Sequence, residues 1–328
     1  MKTIVTGGAG FIGTHLAERL IQDGHQVMVL DNLSTGRLEN LKKIEASPGF
    51  TFFNADVSNF DDISNYFKGI DWVFHLAALA DIVPSVTEPR KYHRANVEAA
   101  VAVLEASRIN GIKKFIYAAS SSCYGVPEVY PTPESARIQP QYPYAFTKYI
   151  AESYAFHWEK IYKLPVVSLR LFNVYGLRSR TSGTYGAVLG VFLAQKINQA
   201  PFTIVGDGQQ KRDFVFVSDV VEAFIKAAAS DVRNEIFNVG SGNPQTVNQL
   251  AGLLGSSNKV YIPKRPGEPE CTWADITKIR DMLGWQPKVS FEQGIKLVLE
   301  NIDYWRDAPV WTPENIEQAT KEWFKCLS

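Results

Sequence analysis

Tyr144 and Lys148 are two side chains able to transfer protons, and they stand four positions apart in Tyr144-Ala145-Phe146-Thr147-Lys148. On a helix this spacing places both side chains on one face. A free tyrosine titrates at about pH 10, but an adjacent ammonium favours its phenolate and lowers its pKa. Such a pair alone is usually an accident on a solvated face, but Ser120-Ser121-Ser122 adds hydroxyls that could hydrogen-bond a reacting oxygen. We therefore predict that Tyr144 acts as a base, with Lys148 and one of these three serine hydroxyls beside it.

Gly7, Gly10 and Gly13 lie between the first predicted strand and the first predicted helix. At this spacing the backbone can turn tightly and bring its N–H groups against a pyrophosphate, although turns also use glycine for steric reasons alone. Asp31 ends the second predicted strand about twenty residues on, where a carboxylate would bind a ribose diol and repel a 2′-phosphate. An ATP-binding P-loop would need a Lys-Ser/Thr pair after the glycines, which this sequence does not have. The pattern predicts bound NAD rather than NADP or ATP.

Alternating strands and helices in the first half of the chain must position these residues. The predicted strands are Thr3–Val5, Gln26–Leu30, Thr51–Phe53, Trp72–Leu76, Phe115–Ala118 and Pro165–Leu171. The predicted helices are Phe11–Asp23, Asn96–Arg108 and Tyr144–Tyr162. This order predicts an α/β fold, a Rossmann-type doubly wound parallel sheet with helices on both faces.

The second half of the chain is less regular, and it predicts a smaller mixed α/β substrate lobe over the end of the sheet. We expect residues 1–172 to form the NAD-binding Rossmann domain, with residues 213–240 returning to it. Residues 173–328 are expected to form mainly the nucleotide-sugar-binding lobe and a C-terminal helical tail. The tail carries Trp311 and Trp323, and the sequence assigns it no chemistry.

Composition argues against several classes of function. The 328 residues include 45% hydrophobic residues and equal numbers of basic and acidic residues, 34 of each, so neither nucleic acid nor a membrane is an expected partner. Three widely spaced cysteines favour reduced thiols over a disulfide framework, and we expect no metal site. Glycines begin at Gly7, which leaves no room for a signal peptide, so a cytoplasmic protein is expected.

Several motifs together resemble the extended short-chain dehydrogenase/reductase family, and within it the UDP-sugar 4-epimerases. They are Thr6-Gly7-Gly8-Ala9-Gly10-Phe11-Ile12-Gly13, Asp31-Asn32-Leu33-Ser34-Thr35-Gly36, Ala119-Ser120-Ser121-Ser122-Cys123-Tyr124-Gly125, Tyr144-Ala145-Phe146-Thr147-Lys148, Arg170-Leu171-Phe172-Asn173-Val174-Tyr175-Gly176, Gly206-Asp207-Gly208, Lys211-Arg212-Asp213-Phe214 and Arg265-Pro266-Gly267-Glu268. The resemblance covers nearly the whole chain up to about Asn301.

The resemblance implies roles for individual residues. Positions that hold NAD match Phe11, Ile12, Asp31, Asn32, Ser34, Gly36, Asp56, Val57, Leu76, Ala77, Asn96 and Lys148, beside Gly7, Gly10, Gly13 and Tyr144. Tyr144 matches the base and Ser120 its hydroxyl partner. Positions that bind the UDP-sugar match Asn173, Ala187, Val188, Arg212, Arg265 and Glu268, to which the hydroxyls of Ser120, Ser121 and Ser122 add contacts with the sugar. Guanidinium groups suit phosphate oxygens because of their fixed fork of donors.

The residues beside Tyr144 bear on the reaction. The related 4,6-dehydratases carry Thr-Asp-Glu in place of Ser120-Ser121-Ser122, and UDP-glucuronate decarboxylases carry Glu in place of Ser122. Hydroxyls are poor general acids and bases at neutral pH, so C4 epimerisation through a 4-keto sugar is predicted over elimination. The alternatives are a dehydratase, a glucuronate-type epimerase or decarboxylase, an enzyme for a GDP- or dTDP-sugar, and a non-catalytic NAD-binding regulator.

Thr272 precedes Trp273-Ala274-Asp275, where epimerases restricted to plain hexoses often carry Tyr. A small side chain leaves room for an acetamido group, so UDP-GlcNAc/UDP-GalNAc is the predicted pair, with UDP-Glc/UDP-Gal open as a second pair. Asp81 lies near the expected sugar, where it would repel UDP-glucuronate; a contact with an amino sugar or an unusual sugar is the alternative. The resemblance also implies a homodimer formed by the helices Tyr92–Arg108 and Tyr144–Tyr162.

Overall fold

The computed structural model describes residues 1–179, 188–255 and 258–327. The strands are β1 Lys2–Thr6, β2 Gln26–Asp31, β3 Phe50–Asn54, β4 Trp72–His75, β5 Lys114–Ser120, β6 Val166–Leu171, β7 Asn173–Tyr175, β8 Phe202–Val205, β9 Lys211–Arg212, β10 Phe214–Phe216, β11 Glu235–Val239, β12 Gln245–Thr246 and β13 Lys259–Ile262. The α-helices are α1 Phe11–Gln22, α2 Phe60–Ile63, α3 Ile82–Thr87, α4 Pro89–His93, α5 Ala99–Ile109, α6 Pro143–Tyr162, α7 Val188–Ile197, α8 Val217–Ala229, α9 Val247–Leu253, α10 Thr277–Leu283, α11 Phe291–Glu300 and α12 Pro313–Leu327.

The main sheet has seven parallel strands in the order β11-β6-β5-β4-β1-β2-β3. This order places β1 beside β4, with the chain winding outward in both directions, and it confirms the predicted Rossmann-type doubly wound fold. All six residues of β6 are buried, as expected for a parallel strand covered by helices on both faces. The seventh strand, β11, was not among the predicted strands, and it pairs with β6 along the edge of the sheet.

Alternate residues of each strand face two different helical layers. In β1, Val5 packs in a cluster with Leu16 and Leu20 of α1 and Phe224 of α8. Its neighbour Ile4 points to the opposite face, in the cluster built from α5 and α6. Burial of each such side chain contributes roughly 1.5–3 kcal/mol, so the two layers hold the sheet rigidly and fix the strand ends.

A smaller lobe is built from three short strand pairs, β7–β10, β8–β13 and β9–β12, with α7, α9 and α11. Its core includes stacked rings of Phe192 and Phe202, whose centroids are 4.7 Å apart. Helix α8 packs on α1, so this part of the second half contributes to the first lobe. The predicted domain boundaries themselves stay a prediction. No helix among the described residues is both long and apolar enough to cross a membrane.

Candidate active site

The glycine loop between β1 and α1 forms a tight cradle at the carboxyl edge of the sheet. Gly7 has a φ of +70°, and a Cβ atom there would lie 2.8 Å from the backbone nitrogen of Ala77. A Cβ atom on Gly13 would collide with the carbonyl oxygen of Gly7. Helix α1 starts immediately after Gly10 with no acidic residue in its first turn, so its N-terminus favours an anion. The loop therefore fits the pyrophosphate of a dinucleotide.

Asp31 occupies the end of β2, beside this loop. Its carboxylate accepts hydrogen bonds from the backbone N–H groups of Ala9, at 3.0 Å, and Leu33, at 2.8 Å. Burial raises the pKa of Asp31, while these two hydrogen bonds act in the opposite direction. A Cβ atom on Gly36 would lie 2.8 Å from Asp31 Oδ2, so any side chain there would press on the carboxylate. The acid is thus held in one orientation at the strand end, as binding of a ribose diol requires.

A cavity of about 820 Å³ runs from the glycine loop across the strand ends to the smaller lobe. Its lining contains most of the residues expected to bind NAD or the nucleotide sugar, namely Gly7, Gly10, Phe11, Ile12, Gly13, Asp31, Asn32, Ser34, Asp56, Val57, Leu76, Ala77, Asn173, Val188, Arg212, Arg265 and Glu268. Within the described part of the chain, the lining does not include Gly36, Asn96, Ser120, Ser121, Ser122, Tyr144, Lys148 or Thr272. Ala187 lies outside the described residues.

Asn96 lies in a π-helical turn, Arg94–Glu98, that joins α4 to α5 where a continuous α-helix was predicted. Its side chain accepts a hydrogen bond from Leu79 N at 2.8 Å and donates to Leu79 O at 3.0 Å. It also donates to Thr147 Oγ1 at 2.9 Å. Asn96 therefore connects the cavity-lining segment after β4 to the helix that carries Tyr144.

Ser120 and Tyr144 meet where β5 ends and α6 begins. The Ser120 hydroxyl lies close enough to the Tyr144 phenol to lower its pKa, and it lies 2.8 Å from the hydroxyl of Ser122. The Ser122 backbone N–H also donates to Ser120 Oγ at 3.2 Å. The strand end thus presents a hydroxyl cluster to the phenol.

Lys148 lies one turn further along α6 and is only 4% exposed. Burial lowers its pKa to about 7, and the carboxylate of Glu152 acts in the opposite direction. The ammonium lies 4.4 Å from the centroid of the Tyr117 ring, within the range of a cation–π contact. Lys148 is therefore enclosed by the protein and titrates close to neutral pH.

The sequence predicted that Lys148 lowers the pKa of Tyr144. Among the groups of the chain the opposite shift prevails. Burial raises the pKa of Tyr144 above its ordinary value, and the hydrogen bond from Ser120 is what acts to lower it. Burial also favours the neutral amine of Lys148, and a neutral amine does not lower the pKa of a neighbouring phenol. Among the groups of the chain, Ser120 is therefore the one that favours the phenolate of Tyr144.

The residues expected to bind the UDP-sugar are held by two sets of contacts. Glu268 pairs with Arg265 at 2.9 Å and with Arg212 at 3.6 Å. Burial lowers the pKa of Arg212, and Glu268 opposes this effect. Thr272 Oγ1 donates to Asn173 Oδ1 at 2.8 Å and accepts from Asp213 N at 3.0 Å. Thr272 therefore positions Asn173, a role that its small size alone did not suggest.

Two aromatic residues that no motif indicated also belong to this region. Trp323 of the C-terminal tail lines the cavity. Its ring lies 6.0 Å from Tyr142, which in turn stacks on Tyr144 with a centroid distance of 6.4 Å. The amphipathic pattern of α12 could have predicted that Trp323 is buried. It does not indicate which residues Trp323 packs against.

The model of the NAD dependent epimerase/dehydratase family matches residues 3–240. The chain is 38% identical over 308 residues to a UDP-glucose 4-epimerase of Mycolicibacterium smegmatis, which covers 92% of this chain and 98% of that protein. A solved UDP-glucose 4-epimerase of Thermotoga maritima with UDP-glucose has a TM-score of 0.87 and 38% identity, covering 93% of this chain and 99% of that chain. UDP-N-acetylglucosamine 4-epimerase of Methanobrevibacter ruminantium, solved with UDP-N-acetylmuramic acid, has a TM-score of 0.85 and 36% identity, covering 92% of this chain and 98% of that chain.

Proposed function

We propose, since this chain belongs to the NAD dependent epimerase/dehydratase family, that it inverts C4 of a UDP-linked sugar. The observation that carries this proposal is the hydroxyl cluster of Ser120 and Ser122 against Tyr144. A dehydratase needs a carboxylic acid and a carboxylate at this point to eliminate water. Hydroxyls can orient the C4 oxygen and leave the rest of the sugar intact.

NAD is the cofactor of this family, and when bound it accepts and then returns the hydride. The chain's own residues handle the proton at the C4 oxygen. Tyr144 removes it as the sugar is oxidised and returns it as the 4-keto sugar is reduced on its other face. Ser120 stabilises the phenolate by its hydrogen bond. The substrate and the product have the same composition, so no second substrate is needed.

Arg212 and Arg265 are the groups that we expect to bind the diphosphate. Both line the cavity and share the carboxylate of Glu268, which holds them in place before substrate binds. Preorganised guanidinium groups suit phosphate because little rotamer freedom is lost on binding.

For the sugar, we propose UDP-GlcNAc/UDP-GalNAc together with UDP-Glc/UDP-Gal. The resemblance supports the N-acetylated pair, because Thr272 stands where epimerases restricted to plain hexoses often carry Tyr, and Thr272 contacts Asn173, which lines the cavity. UDP-glucuronate is disfavoured because Asp81 lines the cavity, and its carboxylate would repel the carboxylate of the glucuronate. A dehydratase or a decarboxylase on the same scaffold is the alternative function, and the family includes dehydratases.

The test is incubation of the purified protein with UDP-GlcNAc, UDP-Glc and UDP-glucuronate separately, followed by NMR and mass measurement. We expect the two neutral sugars to give C4 epimers of unchanged mass. Loss of water would identify a dehydratase, and loss of carbon dioxide from UDP-glucuronate would identify a decarboxylase. No conversion of any of them would overturn the proposal.

We also propose a homodimer formed by the outer faces of α5 and α6. Large apolar side chains there are exposed, among them Ile109, Phe146, Tyr154 and Ile161. A shallow groove between the two helices adds Val97, Val101 and Ile150. Exposed large apolar side chains on neighbouring helices are typical of an interface. Light scattering that gives the mass of a monomer at assay concentration would contradict this proposal.

A further inference from the structure

The C-terminal helix α12 is folded against the candidate active site. Ile316, Thr320 and Trp323 are buried at helical spacing, so one face of α12 is packed and the other is solvated. The helix is anchored at its start, where Thr312 N donates to Asn315 Oδ1 at 2.7 Å. It packs on α3, whose first residue, Ile82, lines the cavity. The tail thus forms part of the wall of the site.

Trp323 is the residue of this wall that contacts the candidate substrate-binding groups. It is 1% exposed, and its Nε1–H donates to Pro266 O at 2.8 Å. The guanidinium carbon of Arg265 lies 5.6 Å from the centroid of its ring. An indole face at this distance attracts a guanidinium, and the same guanidinium donates to Glu268 Oε1 at 2.9 Å. Trp323 therefore restricts the orientations open to Arg265.

The same indole also contacts the aromatic residue next to the candidate base. The rings of Trp323 and Tyr142 have centroids 6.0 Å apart. Tyr142 and Tyr144 are nearly parallel, with an interplanar angle of 7°. Trp323 thus touches both the arginine expected to bind diphosphate and the ring that lies against Tyr144.

We propose that Trp323 is a positioning residue of the nucleotide-sugar site, which holds Arg265 in its diphosphate-binding orientation and supports Tyr142 beside the reacting sugar. This proposal rests on the proposed function, because the ligand of Arg265 is taken to be the diphosphate of a UDP-sugar. It assigns α12 to the substrate site rather than to the exterior of the fold.

The test compares Trp323→Leu with Trp285→Leu, a matched control. Trp285 is also fully buried, and its Nε1–H also donates to a backbone carbonyl, that of Asp219, at 2.9 Å. Because Trp285 belongs to the core of the first lobe, its loss destabilises the protein without touching the cavity lining. Calorimetric titration with UDP measures the site without requiring turnover, and thermal melting reports the structural cost of each variant.

We expect Trp323→Leu to weaken UDP binding at least fivefold and to raise KM for the UDP-sugar more than it lowers kcat. Trp285→Leu should bind UDP within twofold of the parent. Trp323→Phe and Trp285→Phe form a milder pair that decides the question if either Leu variant fails to fold. Equal UDP affinity in Trp323→Leu and the parent would overturn the assignment, as would equal weakening in the Trp285 control. A parent protein that binds no UDP would instead refute the proposed function, and this inference with it.

Discussion

Glu152 and Arg170 form a buried ion pair with 2.7 Å between Oε2 and Nη2, and their side chains are only 3% and 4% exposed. Glu152 also accepts a hydrogen bond from Ser168 Oγ at 2.6 Å. Arg170 reaches Tyr124 Oη at 2.9 Å through its other terminal nitrogen. The pair therefore ties α6, which carries Tyr144 and Lys148, to the buried strand β6.

Glu152→Gln should lower the free energy of unfolding by about 3–5 kcal/mol, because it leaves the Arg170 charge buried without its counter-charge. Urea unfolding measures the change. Glu235→Gln is the matched control, since Glu235 pairs with Lys278 at a partly exposed site and should cost about 1 kcal/mol or less. Equal losses of unfolding free energy in the two variants would show that burial does not determine what an ion pair contributes to stability.

Lys148→Met should become more stable relative to the parent as the pH falls from about 10 to 7. The pKa of Lys148 is lowered from 10.5 to about 7, so the unfolded chain binds this proton more tightly than the folded protein does. The resulting cost is absent above pH 10.5, grows as the pH falls and is complete below about pH 7. Urea unfolding across this range should show a difference on the order of a few kcal/mol at pH 7. Lys160→Met, at an exposed position of the same helix, should show no such trend.

Tyr144→Phe should reduce epimerisation at least ~100-fold, since it removes the group that accepts and returns the C4 proton. NMR of the UDP-sugar measures turnover, and NAD affinity should be little changed because the ring is kept. Tyr261→Phe makes the same change at an exposed position of β13 and should leave turnover close to that of the parent. Parental turnover in Tyr144→Phe would remove the mechanism proposed for this site.

Thr272→Tyr should abolish conversion of UDP-GlcNAc while retaining part of the conversion of UDP-Glc, because the larger ring fills the space expected for the acetamido group. Thr272→Val separates size from hydrogen bonding. It removes the hydroxyl that joins Asn173 to Asp213 N, so it should reduce both conversions to a similar extent. Undiminished turnover of UDP-GlcNAc by Thr272→Tyr would show that Thr272 does not select the sugar.

Asp31→Asn should reduce the preference for NAD over NADP by about tenfold or more, because the charge that repels a 2′-phosphate is lost. Fluorescence titration with NADH and NADPH gives both dissociation constants. Asp61→Asn is the control at an exposed site in α2 and should keep the parental preference. A preference unchanged in Asp31→Asn would place the discrimination elsewhere in the cavity.

Local sequence patterns determined the main sheet and the candidate chemistry. The strands around the glycine loop and the spacing of Tyr144 and Lys148 follow from short-range periodicity, which reflects the repeat of the backbone itself. Six of the seven sheet strands were predicted in this way. β11 was not, because nothing in its short apolar run indicates that it pairs with β6. The assigned roles of the site residues stay predictions for the experiments above.

Tertiary structure alone decided which distant segments meet and what environment each group has. Trp323 contacts Arg265, and Thr272 contacts Asn173, across long separations in the chain that no spacing rule covers. The sign of the pKa shift of Tyr144 was also decided there. Burial depends on everything packed around the phenol, whereas the sequence showed only the neighbouring lysine. Long-range packing and desolvation are properties of the whole assembled chain, and local residue order leaves them undetermined.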